Sequence, residues 1–169
     1  GLYRVRGDCY MAMSNAKLAY ADYDHAVRLL TQSSPSVMQA ADPAELPASL
    51  LGRARSVKAS LMMNSPDATT ISTKQIQQAA RDMEQVLKLS SREEWDDEQD
   101  LLEDGATRNP YAAWEWGSLL RKTSNNNNNK NDSSSAWNMA SKAHFLAAAA
   151  FDEIGDKPRA AISYIDAGI

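Results

Sequence analysis

The sequence predicts an all-α fold built from antiparallel helical hairpins, and three observations predict it. Only 7% of the 169 residues are aromatic, and the chain is rich in Ala, Leu, Met, Gln and Lys, the strong helix formers. Apolar residues return at alternating steps of three and four, the repeat of one helical face, and no stretch alternates with the period of two expected of a strand. Short polar stops containing Pro, Ser, Asn or Asp separate these periodic stretches, so each helix should fold back on its neighbour.

Taken in chain order, helices are expected over roughly 2–14, 16–31, 47–63, 72–89, 92–105, 110–122, 136–154 and 157–167. The first two form a hairpin over residues 1–32. Tyr3, Gly7 and Tyr10 line one face of the first helix, and after a turn near Ser14 and Asn15 the residues Ala19, Tyr23 and Ala26 line the facing side of the second. The stop "SSPS" and the run "ADPAELP" close this unit. A degenerate hairpin follows over 47–89, with "SLLGRARSVKASL" as its first helix, "QIQQAARDMEQVLKL" as its second, and "MNSPDATTIST" in place of a tight turn. The helix over 92–105 is strongly acidic, carrying Glu93, Glu94, Asp96, Asp97, Glu98, Asp100, Glu103 and Asp104. Negative charge near a helix start suits the macrodipole, and this face is read as solvated. Hairpins over 110–169 complete the chain, interrupted by the Asn/Ser insertion "TSNNNNNKNDSSS" at 123–135, which reads as a loop because it has little apolar surface to offset its ordering entropy. The length suits one domain.

The first hairpin resembles a tetratricopeptide repeat. An aromatic residue is followed by Gly four positions on, an aromatic three further, Ala nine further still, and then an aromatic and Ala at four and three, here Tyr3, Gly7, Tyr10, Ala19, Tyr23 and Ala26. Arg6 departs from the pattern, since the family usually has leucine there, and Pro35 arrives later than the closing proline of a repeat. A second match lies in "HFLAAAAFDEIGDKPRAAISYIDAGI", where Ala147, Ala148, Phe151 and Ile154 take the first-helix places, Gly155 and Asp156 turn the chain, and Ala160, Tyr164 and Ala167 repeat the second stripe. Pro158 falls in the first helical turn, where its missing N–H costs nothing. The resemblance implies a degenerate helical-repeat array that binds other proteins. One branch of the family grips C-terminal carboxylates through Lys and Asn on inner helices. The matching places here hold Arg4 and Asp8, and Asp8 would repel a carboxylate, so that clamp is not expected.

Composition excludes several function classes. A net charge of −4 disfavours a general nucleic-acid binder, which needs a basic surface to displace counterions. The lone Cys9 forms no intramolecular disulfide, no Cys/His spacing matches a zinc site and no Asp-rich loop matches calcium, so no metal or cofactor is expected and a reducing compartment fits. The longest uncharged apolar run, "FLAAAAF", is too short to span a bilayer. The chain starts at Gly1 rather than Met, which fits a trimmed chain or a mature form that has lost a targeting segment, and processing would suit an organelle. His25 and His144 fall on different helices, Cys9 has no activating neighbour and no Gly-rich loop could cradle phosphate, so no enzyme is expected and His144 reads as packed.

The candidate partner-binding residues are therefore surface ones. Arg53, Arg55 and Lys58 form a basic face that would complement acid either within the protein or on a neighbour. Trp114 and Trp116 cannot share one helical face, so one should pack inward and the other be available to a partner. Trp137 should anchor its own helix. Asn127 and Lys130 represent the Asn/Ser insertion, whose many amides would be ordered by hydrogen bonds from a neighbouring chain. The Asn run looks like those of diatom and other protist proteins, and on that basis the chain as a whole is similar to a lineage-specific stromal subunit of an algal photosystem I supercomplex. That resemblance implies a subunit peripheral to a membrane complex, at the thylakoid surface in the chloroplast stroma, with other protein subunits as partners. The rival readings are a free adaptor binding short peptides and an enzyme with a divergent site.

Overall fold

Residues Leu2–Ala12 coil into α1, a stretch free of Pro and with Val5 as its single β-branched residue. The helix ends in a tight turn. Ser14 takes a left-handed conformation (φ 58°), its N–H donates to the Met11 carbonyl at 2.9 Å, and the Asn15 N–H donates to the Tyr10 carbonyl at 2.8 Å. Asn15 then starts α2 (Ala16–Gln32), its side-chain oxygen accepting from the Leu18 N–H at 3.2 Å. The coordinates are a computed structural model that describes residues 1–32, 42–62, 73–90, 98–126 and 130–168.

Among these residues the chain is all-α, with eight helices and no strand. Helix α3 (Glu45–Met62) begins two residues before the expected 47, taking Pro47 into its first turn, where the N–H groups have no intrahelical partner to lose. Helix α4 covers Thr73–Ser90, α5 Glu98–Arg108, α6 Pro110–Asn126, α7 Lys130–Glu153 and α8 Lys157–Ala167. Two expectations change. The acidic helix expected over 92–105 is described only from Glu98, residues 91–97 lying outside the described part, and it runs on to Arg108. The insertion expected as a loop over 123–135 is helical on both flanks, since α6 continues to Asn126 and α7 starts at Lys130. Asn and Ser cost a helix only a few tenths of a kcal/mol each, and extending an existing helix avoids the nucleation cost.

The turn between α7 and α8 repeats the turn between α1 and α2. Gly155 is left-handed (φ 81°), its N–H donates to the Asp152 carbonyl at 3.1 Å, the Asp156 N–H donates to the Phe151 carbonyl at 2.8 Å, and the Asp156 side chain accepts from the Arg159 N–H at 3.2 Å. Each bond has a counterpart in the first turn at the same spacing.

Two compact units make up the chain, Gly1–Asp82 and Met83–Ile169, the division falling inside α4. In the first, α2 packs against both α1 and α3. Its centre is the ring of Tyr23, held between two glycines. A Cβ at Gly7 would stand 2.9 Å from Tyr23 Cε1, and one at Gly52 would stand 2.4 Å from the same atom. Only glycine lets both α1 and α3 approach that ring this closely. In the second unit α7 packs against α6, α8 and α5. Ala112 and Ala113 of α6 and Ala140, Ala143, Ala147 and Ala148 of α7 are fully buried, small residues that allow close helix axes. The same device recurs, because a Cβ at Gly117 would stand 2.1 Å from Cδ2 of His144. Ile154, expected in the buried stripe, is exposed at the end of α7, where the chain has begun to turn. No helix among the described residues is long and apolar enough to cross a membrane.

Candidate protein-binding surfaces

The basic face expected at Arg53, Arg55 and Lys58 turns inward at its first member. Arg53 is 7% exposed, and its guanidinium grips Asp82 through two bonds of 2.7 Å, Nε to Oδ2 and Nη2 to Oδ1. Its remaining Nη1 donates to Asp24 Oδ1 at 2.7 Å. Gln78 adds a bond to Asp82 at 2.9 Å, and Arg28 holds the other oxygen of Asp24 at 2.7 Å. Burial works against the charge of Arg53, but its bonds to Asp82 and Asp24 outweigh that and hold its pKa above the ordinary arginine value. Arg53 is therefore a tie between α2, α3 and α4 rather than a partner-facing residue, because a charge this buried has to be matched from within. Arg55 and Lys58 are half-buried on the same helix.

Other charges of the first unit are matched in the same way, on α1. Arg6, the departure from the repeat pattern, places Nε 2.6 Å from Asp22 Oδ2 and Nη2 2.7 Å from Asp22 Oδ1. That bidentate bond holds the Asp22 carboxyl below its usual range, although burial pushes the other way. Arg4 spans Asp8 at 2.7 Å and Glu45 at 3.1 Å, so the carboxylates it holds are the chain's own. Tyr23 donates its O–H to Asp8 at 2.7 Å, and burial together with that bond pushes the phenol well above the ordinary tyrosine range.

In the second unit Trp116 is the inward tryptophan and is buried. Trp114 is half-buried, edge-on to Tyr111 with ring centroids 5.7 Å apart, and donates its indole N–H to Asp166 Oδ2 at 2.8 Å. The same oxygen lies 3.5 Å from His144 Nδ1, so Asp166 joins α6, α7 and α8. Neither tryptophan is a free aromatic anchor: one fills the core and the other spends its polar edge inside the protein. Trp137 receives the guanidinium of Arg121 over its ring at 5.2 Å. Of the acidic helix, Glu103 pairs with Lys142 at 2.8 Å and Asp104 with Arg108 at 2.9 Å. Asn127 lies outside the described residues, and Lys130 opens α7. Among the described residues no group of three or more His, Cys, Asp or Glu is placed to hold a metal ion.

What the sequence reading missed is apolar. At about 100° per residue, Leu2, Val5, Cys9 and Ala12 cover about 80° of α1, opposite the buried Gly7, and Met13 follows just past the helix end. All five are exposed, Leu2 to 88%. The signal was present as a second spacing of three and four, interleaved with the Tyr3, Gly7 and Tyr10 stripe. The chain matches no protein-family model, no curated protein and no solved structure.

Proposed function

We propose that the chain is a non-catalytic docking subunit that stabilises a larger protein assembly, a tetratricopeptide-like array whose helices present outward faces to neighbouring chains. The observation that carries this reading is the outward face of α1. An unbroken apolar stripe with Leu2 at 88% exposure costs solubility unless another surface covers it. The repeated turn geometry at the two ends of the chain supports the helical-repeat part of the reading, and such arrays supply extended contact surfaces. The whole-chain resemblance to stromal subunits of algal photosystem I makes that complex the assembly we propose, with the chain at the thylakoid surface. A carboxylate clamp of the kind one branch of the family uses is disfavoured by Arg4, whose guanidinium is already occupied by Asp8 and Glu45.

Capture from an extract of the source organism with the intact chain and with Leu2→Asp/Val5→Asp tests it. Both substituted side chains are exposed, so the helical circular dichroism should not change. A defined set of proteins retained by the wild type and lost from the variant is expected. Identical retention by both chains would remove the α1 face from the account.

A further inference from the structure

Helix α8 is apolar on both sides. Ala160 and Ser163 point into the second unit and are buried, while Pro158, Ala161, Ile162 and Ile165 cover about 100° of the opposite side and are exposed, Ile162 to 49% and Ile165 to 72%. Phe145 of α7, edge-on to Tyr164 at 6.1 Å and itself exposed, extends this surface along one flank. The flanks are charged in a defined way. Arg159 and Asp166 are two turns apart on one edge of the stripe, and Lys157 and Tyr164 are on the other. Asp166 is fixed by the indole of Trp114 yet keeps its side chain 35% exposed, and Arg159 reaches Asp156 at 2.5 Å with its side chain 55% exposed.

We propose that this face of α8 pairs with the same face of a second copy of the chain, the two helices running antiparallel about a twofold axis between Ala161 and Ile162. The charge pattern decides the occupant and the direction. A twofold axis perpendicular to the helices brings the same edge of each copy together with its direction reversed, so Arg159 comes within about 3 Å along the axis of Asp166 of the second copy, inside the reach of its side chain, and Asp166 stands likewise to the second copy's Arg159. Pro158 then faces Ile165, and Ala161 faces Ile162. Parallel pairing would join opposite edges and set Lys157 beside Arg159 of the other copy, a repulsive contact. A self-associating surface must be complementary to itself under rotation, a condition that this face meets and that a surface for an unrelated protein has no reason to meet. Antiparallel helices also align their dipoles favourably. One helix pair of eleven residues is a small interface, so the dimer dissociates on dilution. This self-association is separate from the docking proposed for α1.

The test is sedimentation velocity of the full chain over loadings from about 1 to 500 µM, a range that brackets weak association. The expected result is a concentration-dependent shift from monomer to dimer mass. Ile162→Asp/Ile165→Asp should weaken the dimer by about tenfold or more, and Arg159→Glu, which turns both cross-pairs repulsive, by about fivefold. Leu2→Asp/Val5→Asp should leave it unchanged. For direction, in a Cys9→Ser background, Ile162→Cys should cross-link to itself under mild oxidation and Pro158→Cys should not, because the two copies of residue 158 would stand about 10 Å apart along the axis. Monomer at every loading overturns the proposal, including the case where the monomer binds another protein through this face. So does a dimer insensitive to the α8 aspartates or abolished by those on α1. A cross-link formed faster at position 158 than at 162 overturns the antiparallel arrangement.

Discussion

Replacing Arg53 by Met should cost the protein about 3 to 5 kcal/mol, the usual cost of removing one partner of a buried ion pair. The figure follows from what stays behind. Asp82 is 1% exposed, and without Arg53 it loses two charge-assisted bonds of 2.7 Å and retains Gln78 as its remaining hydrogen-bond donor. Asp24 loses one bond but keeps Arg28 and some contact with solvent, so the penalty falls mainly on Asp82. With a urea slope of about 1 to 3 kcal/mol per molar, the midpoint followed by far-UV circular dichroism should fall by about 2 M. The double variant Arg53→Met/Asp82→Leu removes the orphaned carboxylate and should recover at least half of that loss, about 2 kcal/mol, so the two substitutions should be strongly non-additive. If the single variant loses less than about 1 kcal/mol, or if the two substitutions are additive, Arg53 is not the internal tie described here and returns as a surface residue.

Three further outcomes follow from the packing and the charges. Gly52→Ala and Gly117→Ala should each destabilise by about 1 to 3 kcal/mol, although alanine is the better helix former, because the added Cβ would meet Tyr23 at 2.4 Å and His144 at 2.1 Å respectively; thermal midpoints should fall by about 5 °C, and a rise would show that the rings yield freely. Tyr23→Phe keeps the wedge and removes the bond to Asp8, so it should cost about 1 kcal/mol, against about 3 to 5 for Tyr23→Ala, measured in the same urea titration. The Asp22 carboxyl is held low in the folded chain by Arg6, so its contribution is present in full above the ordinary carboxylate range and is lost as pH falls below about 4; Asp22→Asn should flatten the acid limb of a stability-versus-pH curve, and an unchanged limb would place the acid sensitivity elsewhere.

The helices and the first hairpin were legible because Tyr3, Gly7, Ala19, Tyr23 and Ala26 carry a spacing that only a close helical pair explains. The partners of Arg53 were not, because Asp24 and Asp82 lie on other helices and nothing local in "GRARSVK" shows which of its cations faces inward. Long-range ion pairs leave no spacing to read. The Asn/Ser insertion misled for a different reason: its small apolar surface argues for a loop when it stands alone, but the helices on either side extend into it from both ends. For α1, the Tyr3, Gly7 and Tyr10 spacing reads as one core-facing stripe, and nothing in it marks Leu2, Val5 and Cys9 opposite as exposed, because periodicity shows that a face is apolar without showing how many faces are covered. The exposed stripes carry the functional reading and the buried charges carry stability, the reverse of the assignment that charge alone suggested.

The most direct test of the docking account is isolation of the native protein from its source organism at high salt, followed by mass spectrometry of what remains with it. Apolar contact survives salt that screens surface ion pairs, so the account predicts stoichiometric co-migration with one large complex. Recovery of the chain free of other proteins, as monomer or as its own dimer, would contradict it.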